Sequence, residues 1–277
     1  MSLMSKLLTT TLLLSSLVNA STTSKLVEKY LDNEFGDNPR ISKLDIKVIQ
    51  ETPLSELKGW STYIVDIKAV LKDKPGETIK QKMIWFSNGI VITKELANIK
   101  TSESYTDMVK PDFQRSYYSE ANLISGNKNS KHRVAIFSDP LCPFCKDFAP
   151  KAINYMKKQP EKFAVYYYHY PILRIHPASA IVIRAAVVAE NKGVKDVSAK
   201  MYDIKIDPRE KDVAKILTAF NKVVGSNVTQ MELQTKEVSA HIAHDQEIAK
   251  NVFVNGTPTI YLDDKIDKTR KLYKTIK

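Results

Sequence analysis

The two cysteines of this chain limit how its fold can be held together. Cys142 and Cys145 are its only cysteines, and two residues separate them. The disulfides of small secreted scaffolds are more numerous and join distant parts of a chain, which this pair cannot do. The fold must therefore rest on a hydrophobic core. The 277 residues, 43% of them hydrophobic, suffice for one large domain or two modest ones.

The first 20 residues have the pattern of a secretory signal peptide. Lys6 precedes twelve mostly apolar residues, 7–18, and the sequence Val18-Asn19-Ala20 follows before Ser21. This order of charge, apolar segment and small residue predicts cleavage after Ala20 and export of the mature chain. A retained membrane anchor is the less favoured alternative, because the apolar stretch is too short for a hydrocarbon core of about 30 Å.

The charge balance does not indicate a nucleic-acid partner. Lysine and arginine number 42 against 31 acidic residues, which gives a net charge of +11. Such an excess can serve binding to nucleic acid or anionic membranes, but the basic residues here are scattered and form no run of five or more. The pattern is typical of a solvated exported protein, and we expect no nucleic-acid partner.

Residues 21–100 are predicted to form a small α+β domain. An amphipathic helix over residues 24–35 comes first. Alternating apolar residues then predict antiparallel strands over 44–50, 61–71, 78–86 and 90–93, with turns at 74–76 and 87–89. One helix followed by a meander of strands is typical of the α+β class. The polar residues 101–130 are predicted to be a linker, part of it helical.

From residue 131 to residue 277 the pattern is that of an α/β domain. Strands are predicted over 133–138, 163–168, 259–262 and 265–266, with helices over 142–158, 178–191, 194–203, 211–223 and 231–251 and a last helix at the end. The first strand, the helix after it and the second strand form a unit that predicts a parallel pair with a right-handed crossover. A long helical block then separates the second strand from the third.

The cysteine pair opens the helix that follows the first of these strands. A cysteine at a helix N-terminus lies near unpaired backbone N–H groups and the positive end of the helix dipole, and both favour the thiolate. We expect Cys142 to be exposed and to act as the nucleophile, while Cys145 faces inward and resolves the mixed disulfide. Pro143 suits the first helical turn, where its missing N–H donor is not used.

A static disulfide and a zinc site are the alternatives for this pair. A zinc site takes about four ligands, so histidines would have to complete one that holds two thiols. His241 and His244 are the only close histidine pair, and we expect them on a solvated helix face. His169 ends an aromatic strand and is expected to be packed or at the surface rather than catalytic. We therefore predict neither a metal site nor a cofactor.

Three motifs in this part of the chain resemble one known family. Residues 137–145 (FSDPLCPFC), Pro150 inside the following helix and the sequence Gly256-Thr257-Pro258 resemble the thioredoxin-fold Dsb proteins of the bacterial periplasm. The resemblance covers about residues 131–277 and implies a thioredoxin-like catalytic domain with a helical insertion at about residues 176–251.

The same resemblance assigns roles to the residues before the third strand. It implies that the bond between Thr257 and Pro258 is cis and that this turn packs beside the dithiol. An X–Pro bond is cis only in a minority of cases, so the assignment rests on the upstream cysteines. The backbone of Thr257 would then be available for pairing with an extended client segment, and both residues would form the substrate groove.

Further details resemble the DsbC/DsbG branch of the family. Those proteins carry an extra N-terminal domain, which implies that residues 21–100 form a cystatin-like dimerisation domain and that the protein is a homodimer. Ile136, Phe144 and Thr257 also match the branch. Pro143 and Phe144 would tune the redox potential, since a phenyl ring cannot add the positive charge that a histidine would place beside the thiolate.

The resemblance implies a thiol–disulfide oxidoreductase, a disulfide isomerase or reductase, that acts on folding exported proteins in the periplasm. Cys142 would be kept reduced by a membrane partner of the DsbD type. A DsbA-like oxidase that introduces disulfides, reoxidised by a DsbB-type membrane enzyme, is one alternative. A chaperone-like binding protein with secondary redox activity is another. The sequence leaves the direction of electron flow open.

Overall fold

The computed structural model describes residues 21–276, and the chain divides into two units between Val109 and Lys110. The predicted signal peptide, residues 1–20, lies outside the described residues. Within the described part of the chain, no helix combines the length and the apolar character needed to cross a membrane.

The first unit consists of one long helix, a single-turn helix and an antiparallel sheet. Its elements are α1 (Thr22–Gly36), β1 (Ile41–Pro53), β2 (Ser61–Leu71), β3 (Lys74–Ser87), β4 (Ile92–Thr93) and the single-turn helix α2 (Tyr105–Met108). The strands follow one another in the order β1-β2-β3-β4, each antiparallel to the next. This is the helix and strand meander that the sequence predicts.

Helix α1 has a side-chain cap at its N-terminus and an apolar face that packs on the sheet. The hydroxyl of Ser21 accepts a hydrogen bond from the backbone N–H of Ser24 at 3.0 Å. Val27 and Leu31 recur at a helical spacing and are buried against the sheet residues Tyr63, Val65, Ile67 and Trp85. This side-chain layer is the core of the first unit.

Two details of this sheet differ from the predicted pattern. The hairpin between β2 and β3 turns at Lys72 and Asp73, so Lys74, Pro75 and Gly76 belong to a strand rather than to a turn. The last strand begins at Ile92, and Ile90 is 92% exposed, although its apolar character favoured a strand from residue 90.

The second unit has a central five-stranded sheet with helices on its faces. Its elements are β5 (Leu123–Ser125), β6 (His132–Ser138), α3 (Pro143–Lys157), β7 (Phe163–His169), α4 (Ser179–Asn191), α5 (Val197–Lys200), α6 (Val213–Val224), α7 (Lys236–Asn251), β8 (Thr259–Leu262) and β9 (Lys265–Ile266). The strand order is β5-β7-β6-β8-β9, in which β6 and β7 are parallel and the other pairs antiparallel. This is a thioredoxin-like α/β fold with a helical insertion between β7 and β8.

Residues 110–130 belong to this second unit, which corrects the prediction that residues 101–130 are a linker. Strand β5 pairs with β7. Phe113 is only 1% exposed and packs among Phe137, Tyr168 and Tyr261. Burying such a ring stabilises a fold by about 1.5–3 kcal/mol. A polar segment such as this one gains that stabilisation from its few aromatic residues. The helical part of the predicted linker consists of the four residues of α2 and two 3-10 turns, Arg115–Tyr117 and Glu120–Asn122.

The two faces of the sheet carry separate apolar layers. Alternate residues of β7 point to opposite sides, so Val165 and Tyr167 join the layer under α3, α4 and α6, whereas Ala164 and Tyr168 join the layer that includes part of α7. The segment 231–251, predicted as one helix, is divided by Thr235, which caps α7. The predicted last helix is a single 3-10 turn over Leu272–Lys274.

Candidate functional site

The site lies where β6 ends and α3 begins. Cys142 is the N-cap residue of α3, with φ −69° and ψ 124°, and Pro143 occupies the first helical turn as predicted. The backbone N–H of Cys142 donates to the carbonyl oxygen of Asp139 at 3.2 Å, and the carboxylate of Asp139 accepts from the N–H of Leu141 at 2.9 Å. These bonds shape the short turn that delivers the cysteine to the helix.

Asp139 is a fully buried carboxylate that the sequence analysis did not single out. Its Oδ1 also accepts from the hydroxyl of Ser179 at 2.6 Å, and its Oδ2 accepts from the backbone N–H of Ile172 at 2.8 Å. Nδ1 of His176 lies 2.9 Å from the same Oδ2. A buried carboxyl group needs such hydrogen-bond partners, and here they connect the turn before the dithiol to residues 172–179. The only sequence signal is an aspartate three residues before the first cysteine.

Cys142 has the electrostatics of a nucleophile. The hydrogen bond that the Cys145 thiol donates to it is the main cause that lowers the pKa of Cys142 to about 5, against an opposing effect of burial. The backbone N–H groups of Cys145 and Phe144 lower the pKa further. The same pairing and burial raise the pKa of Cys145, so one sulfur is a thiolate at neutral pH while the other keeps its proton.

Cys142 is less accessible than predicted. We expected an exposed nucleophile, but Cys142 is 4% exposed. The cause is the turn before β8, whose Thr257 carbonyl oxygen lies 3.9 Å from Sγ of Cys142. Cys145 faces inward and is fully buried, as predicted. Phe144, between them, is 73% exposed and is the prominent apolar side chain at this edge of the sheet.

The turn over Cys142 is built as the resemblance implied. The peptide bond between Thr257 and Pro258 is cis, which confirms that prediction. The hydroxyl of Thr259 donates to the carbonyl oxygen of Gly256 at 2.7 Å, and Thr259 pairs with Phe137 of β6. The structure therefore places Thr257 and Pro258 beside the helix end that carries Cys142.

A chain of buried hydroxyl groups lies beneath the second cysteine. The hydroxyl of Tyr202 donates to Oγ of Ser138 at 2.6 Å, and the hydroxyl groups of Tyr167 and Tyr202 are 2.6 Å apart. A hydrogen bond from Ser138 to the sulfur of Cys145 opposes the rise in its pKa. Ile136, two residues before Ser138 on β6, is apolar and fully buried, so it adds no polar group to this chain.

The histidines lie elsewhere and differ from what we expected. His241 and His244 were predicted on a solvated helix face, yet the side chain of His241 is only 13% exposed. Within the described residues, His169, His241 and Asp245 form the group of side chains that could hold a metal ion. The group contains neither cysteine.

The fold and this site define a class of protein, the thioredoxin-fold thiol–disulfide oxidoreductases. A family model described as thioredoxin matches residues 118–277. The match covers more than half of the chain, and the chain belongs to the thioredoxin family.

The solved structures to which the chain is similar are distant from it in sequence. The chain is similar to a thioredoxin-like oxidoreductase from Silicibacter pomeroyi, with 23% identity, a TM-score of 0.45 and coverage of 55% of this chain and 87% of that one. It is similar to BdbD from Bacillus subtilis, with 18% identity, a TM-score of 0.48 and coverage of 60% and 92%. For ScsC from Proteus mirabilis the values are 22%, 0.44, 55% and 67%. No curated protein matches the chain.

Proposed function

We propose that the protein exchanges disulfides in exported client proteins in the periplasm, as a disulfide isomerase or reductase of the DsbC/DsbG type. The observation that carries the proposal is the pairing of a Cys142 thiolate, with a pKa of about 5, and a buried protonated Cys145 under the Thr257–Pro258 turn. The signal-peptide pattern of residues 1–20 supports export.

The chemistry follows from the two sulfur atoms. The Cys142 thiolate attacks one sulfur of a client disulfide, the client S–S bond breaks, and the other client sulfur leaves as a thiolate. In isomerisation a second client thiolate attacks the mixed disulfide and releases Cys142 as a thiolate. In reduction Cys145 gives up its proton and attacks Sγ of Cys142, which forms the Cys142–Cys145 disulfide and releases the client reduced.

The surroundings of the dithiol suit an unfolded client. Phe144 is exposed beside a nearly covered nucleophile, so it offers apolar contact without blocking the sulfur. The carbonyl oxygen of Thr257 lies 3.9 Å from Sγ of Cys142, and backbone groups of Thr257 would pair with an extended client segment. Pro143 and Phe144 bring no charge to the thiolate, so they tune the redox potential through contact and helix geometry rather than through a cation.

The first unit is proposed to be a cystatin-like dimerisation domain. Its long helix α1, packed on a four-stranded antiparallel sheet, supports this reading. A homodimer would carry two dithiols, and light scattering on the untagged full chain tests it. A mass near 31.4 kDa, that of one chain, would overturn the homodimer.

Oxidase activity of the DsbA type is the second candidate. The favouring observation is the low pKa of Cys142, since a stabilised thiolate stabilises the reduced form and makes the disulfide more oxidising. The two candidates differ in the membrane partner, of the DsbD type for the isomerase and of the DsbB type for the oxidase. Trapping the dithiol in cells with an alkylating reagent separates them: mostly reduced protein supports the isomerase and mostly oxidised protein the oxidase.

The activity itself is tested with a purified client whose disulfides are scrambled. We expect Cys142→Ser to abolish its recovery, which a chaperone acting without thiols would not show. Cys145→Ser is the matched variant: it should keep part of the isomerase activity, since Cys142 remains, and accumulate mixed disulfides with the client. Full recovery with Cys142→Ser would overturn the proposal.

A further inference from the structure

A second cluster of reactive side chains lies where β7 meets α7. His169 is the last residue of β7, and His241 and Asp245 are one turn apart on α7. One candidate ligand atom from each of the three lies within 4.8 Å of the others. Residues four apart share a helix face, so α7 presents a histidine and a carboxylate together to the end of the strand.

His169 is buried, and one of its ring nitrogens lacks a hydrogen bond within the described residues. The residue is 1% exposed, and among the described residues its Nδ1 has no hydrogen-bond partner. A buried polar atom without a partner costs free energy. Oδ1 of Asn122, in the same cluster, is likewise buried and without a partner in the described part of the chain.

The carboxylate of the cluster is held in place by neighbours. Asp245 is fully buried, its Oδ1 accepts from Nδ2 of Asn122 at 2.7 Å, and its Oδ2 accepts from the backbone N–H of His169 at 2.8 Å. Nε2 of His241 is 3.5 Å from Oδ2, and Nδ1 of His244 is 3.6 Å from Oδ1. Metal-binding carboxylates are fixed by outer hydrogen bonds of this kind, and each oxygen keeps a further lone pair.

A cavity gives access to this cluster from outside. It has a volume of about 510 Å³, and its lining includes His241, Glu190, Asp196 and Ser198. The hydroxyl of Ser198 donates to the carboxylate of Glu190 at 2.5 Å. Water in this cavity can therefore reach the cluster at His241.

We propose that His169, His241 and Asp245 bind a divalent transition-metal cation of the Zn²⁺ class, with water from the cavity as the fourth ligand. Two imidazoles and one carboxylate suit Zn²⁺ or Co²⁺ better than Ca²⁺ or Mg²⁺, which prefer oxygen ligands. At metal–ligand distances of about 2.1 Å, tetrahedral ligand atoms lie about 3.4 Å apart, so the cluster contracts slightly on binding. The ion would fasten α7 to the end of β7.

The test uses untagged full-length protein in which both cysteines are replaced, Cys142→Ser and Cys145→Ser, so that the probe cannot bind thiols. Titration with Co²⁺ should give the visible absorption of a tetrahedral site at one ion per chain, and Zn²⁺ should displace it. In this background we expect His241→Gln to weaken Co²⁺ binding at least tenfold. Asn122→Ala, which frees the carboxylate, should weaken it about 10–100-fold.

His132→Gln is the matched control, because His132 is a partly exposed histidine of the same unit that pairs with Asp263 and lies outside the cluster. Its Co²⁺ affinity should equal that of the background. Absence of a tetrahedral Co²⁺ spectrum, or equal affinity in His241→Gln, would overturn the site. If the variants do not fold, X-ray absorption at the zinc edge of the background protein decides: two imidazoles support the site, and a shell without imidazole overturns it.

Discussion

The low pKa of Cys142 depends first on one neighbour, and removal of that neighbour tests the mechanism. Cys145→Ala deletes the thiol whose hydrogen bond is the largest cause of the Cys142 pKa of about 5. The backbone N–H groups at the start of α3 remain in the variant. We therefore expect the titration midpoint of Cys142 to rise by more than one pH unit but to stay below the free value of about 8.5.

The midpoint has to be measured directly, by the ultraviolet absorbance of the thiolate across pH. At pH 7 a thiol of pKa about 5 is about 99% thiolate and one of pKa about 8.5 is about 3%, a difference of roughly 30-fold. Thiolate nucleophilicity rises with pKa, with a Brønsted coefficient of about 0.4–0.5, and over this range the gain is of similar size. An alkylation rate at pH 7 would therefore hide the change.

The matched variant is Cys145→Ser, which keeps a hydrogen-bond donor at the same position. Its Cys142 midpoint should lie between that of the wild type and that of Cys145→Ala. A midpoint in Cys145→Ala that equals the wild-type value would refute the assignment of the pKa to the thiol hydrogen bond. It would leave the helix N-terminus as the main cause.

The same thiolate makes the stability of the reduced protein depend on pH. The folded pKa of Cys142 lies below the unfolded value of about 8.5, so its stabilisation is fully present above about pH 8.5 and is lost as pH falls through about 5. The full effect is about 5 kcal/mol at most. The oxidised protein lacks it, so the pH dependence of the difference in unfolding free energy between the two forms reports it. Above pH 8.5 the raised pKa of Cys145 acts in the opposite direction.

Four other substitutions give sharp expectations. Gly126→Ala should lower the free energy of unfolding by about 3 kcal/mol or more, because the new Cβ would lie 2.0 Å from the Phe163 carbonyl oxygen. Gly193→Ala, at a similar φ but in open space, should cost only about 1–2 kcal/mol in the same urea titration. Asp139→Asn should lower the free energy of unfolding by about 3–5 kcal/mol, measured by thermal unfolding. The new side-chain NH₂ group would point toward N–H and O–H groups that now donate to the carboxylate. Phe144→Ala should lower turnover of an unfolded client and leave stability within about 0.5 kcal/mol, as the ring is 73% exposed.

Strong periodicity and local turn chemistry account for the elements that the sequence predicts well. The alternation over Ser61–Leu71 and the short apolar run Thr259–Leu262 have the predicted bounds. The sequence does not predict that residues 110–130 belong to the second unit, because tertiary contacts hold them there. Phe113 is a single ring in a polar segment, and only the folded sheet shows the aromatic cluster into which it packs.

Motifs in short segments located the dithiol, whereas the groups that support it are scattered along the chain. The cysteines and the Thr257–Pro258 turn could be named from local sequence and from a resemblance. The burial of Cys142 could not, because the covering carbonyl comes from a turn 115 residues away. Ser138 and Tyr202 meet through a hydrogen bond that spans 64 residues, and no local pattern signals it.

Asp139 links the helical insertion to the chemistry of the dithiol. The N–H donors that hold the Cys142 thiolate work only if the start of α3 is fixed, and the turn that fixes it is bonded to both the backbone and the side chain of Asp139. That carboxylate is fully buried, and Ile172, His176 and Ser179 supply the other hydrogen-bond partners that a buried polar group needs. These partners lie at or before the start of α4. A change within residues 172–179 therefore reaches the start of α3 through Asp139, and Tyr202, later in the insertion, reaches Cys145 through Ser138.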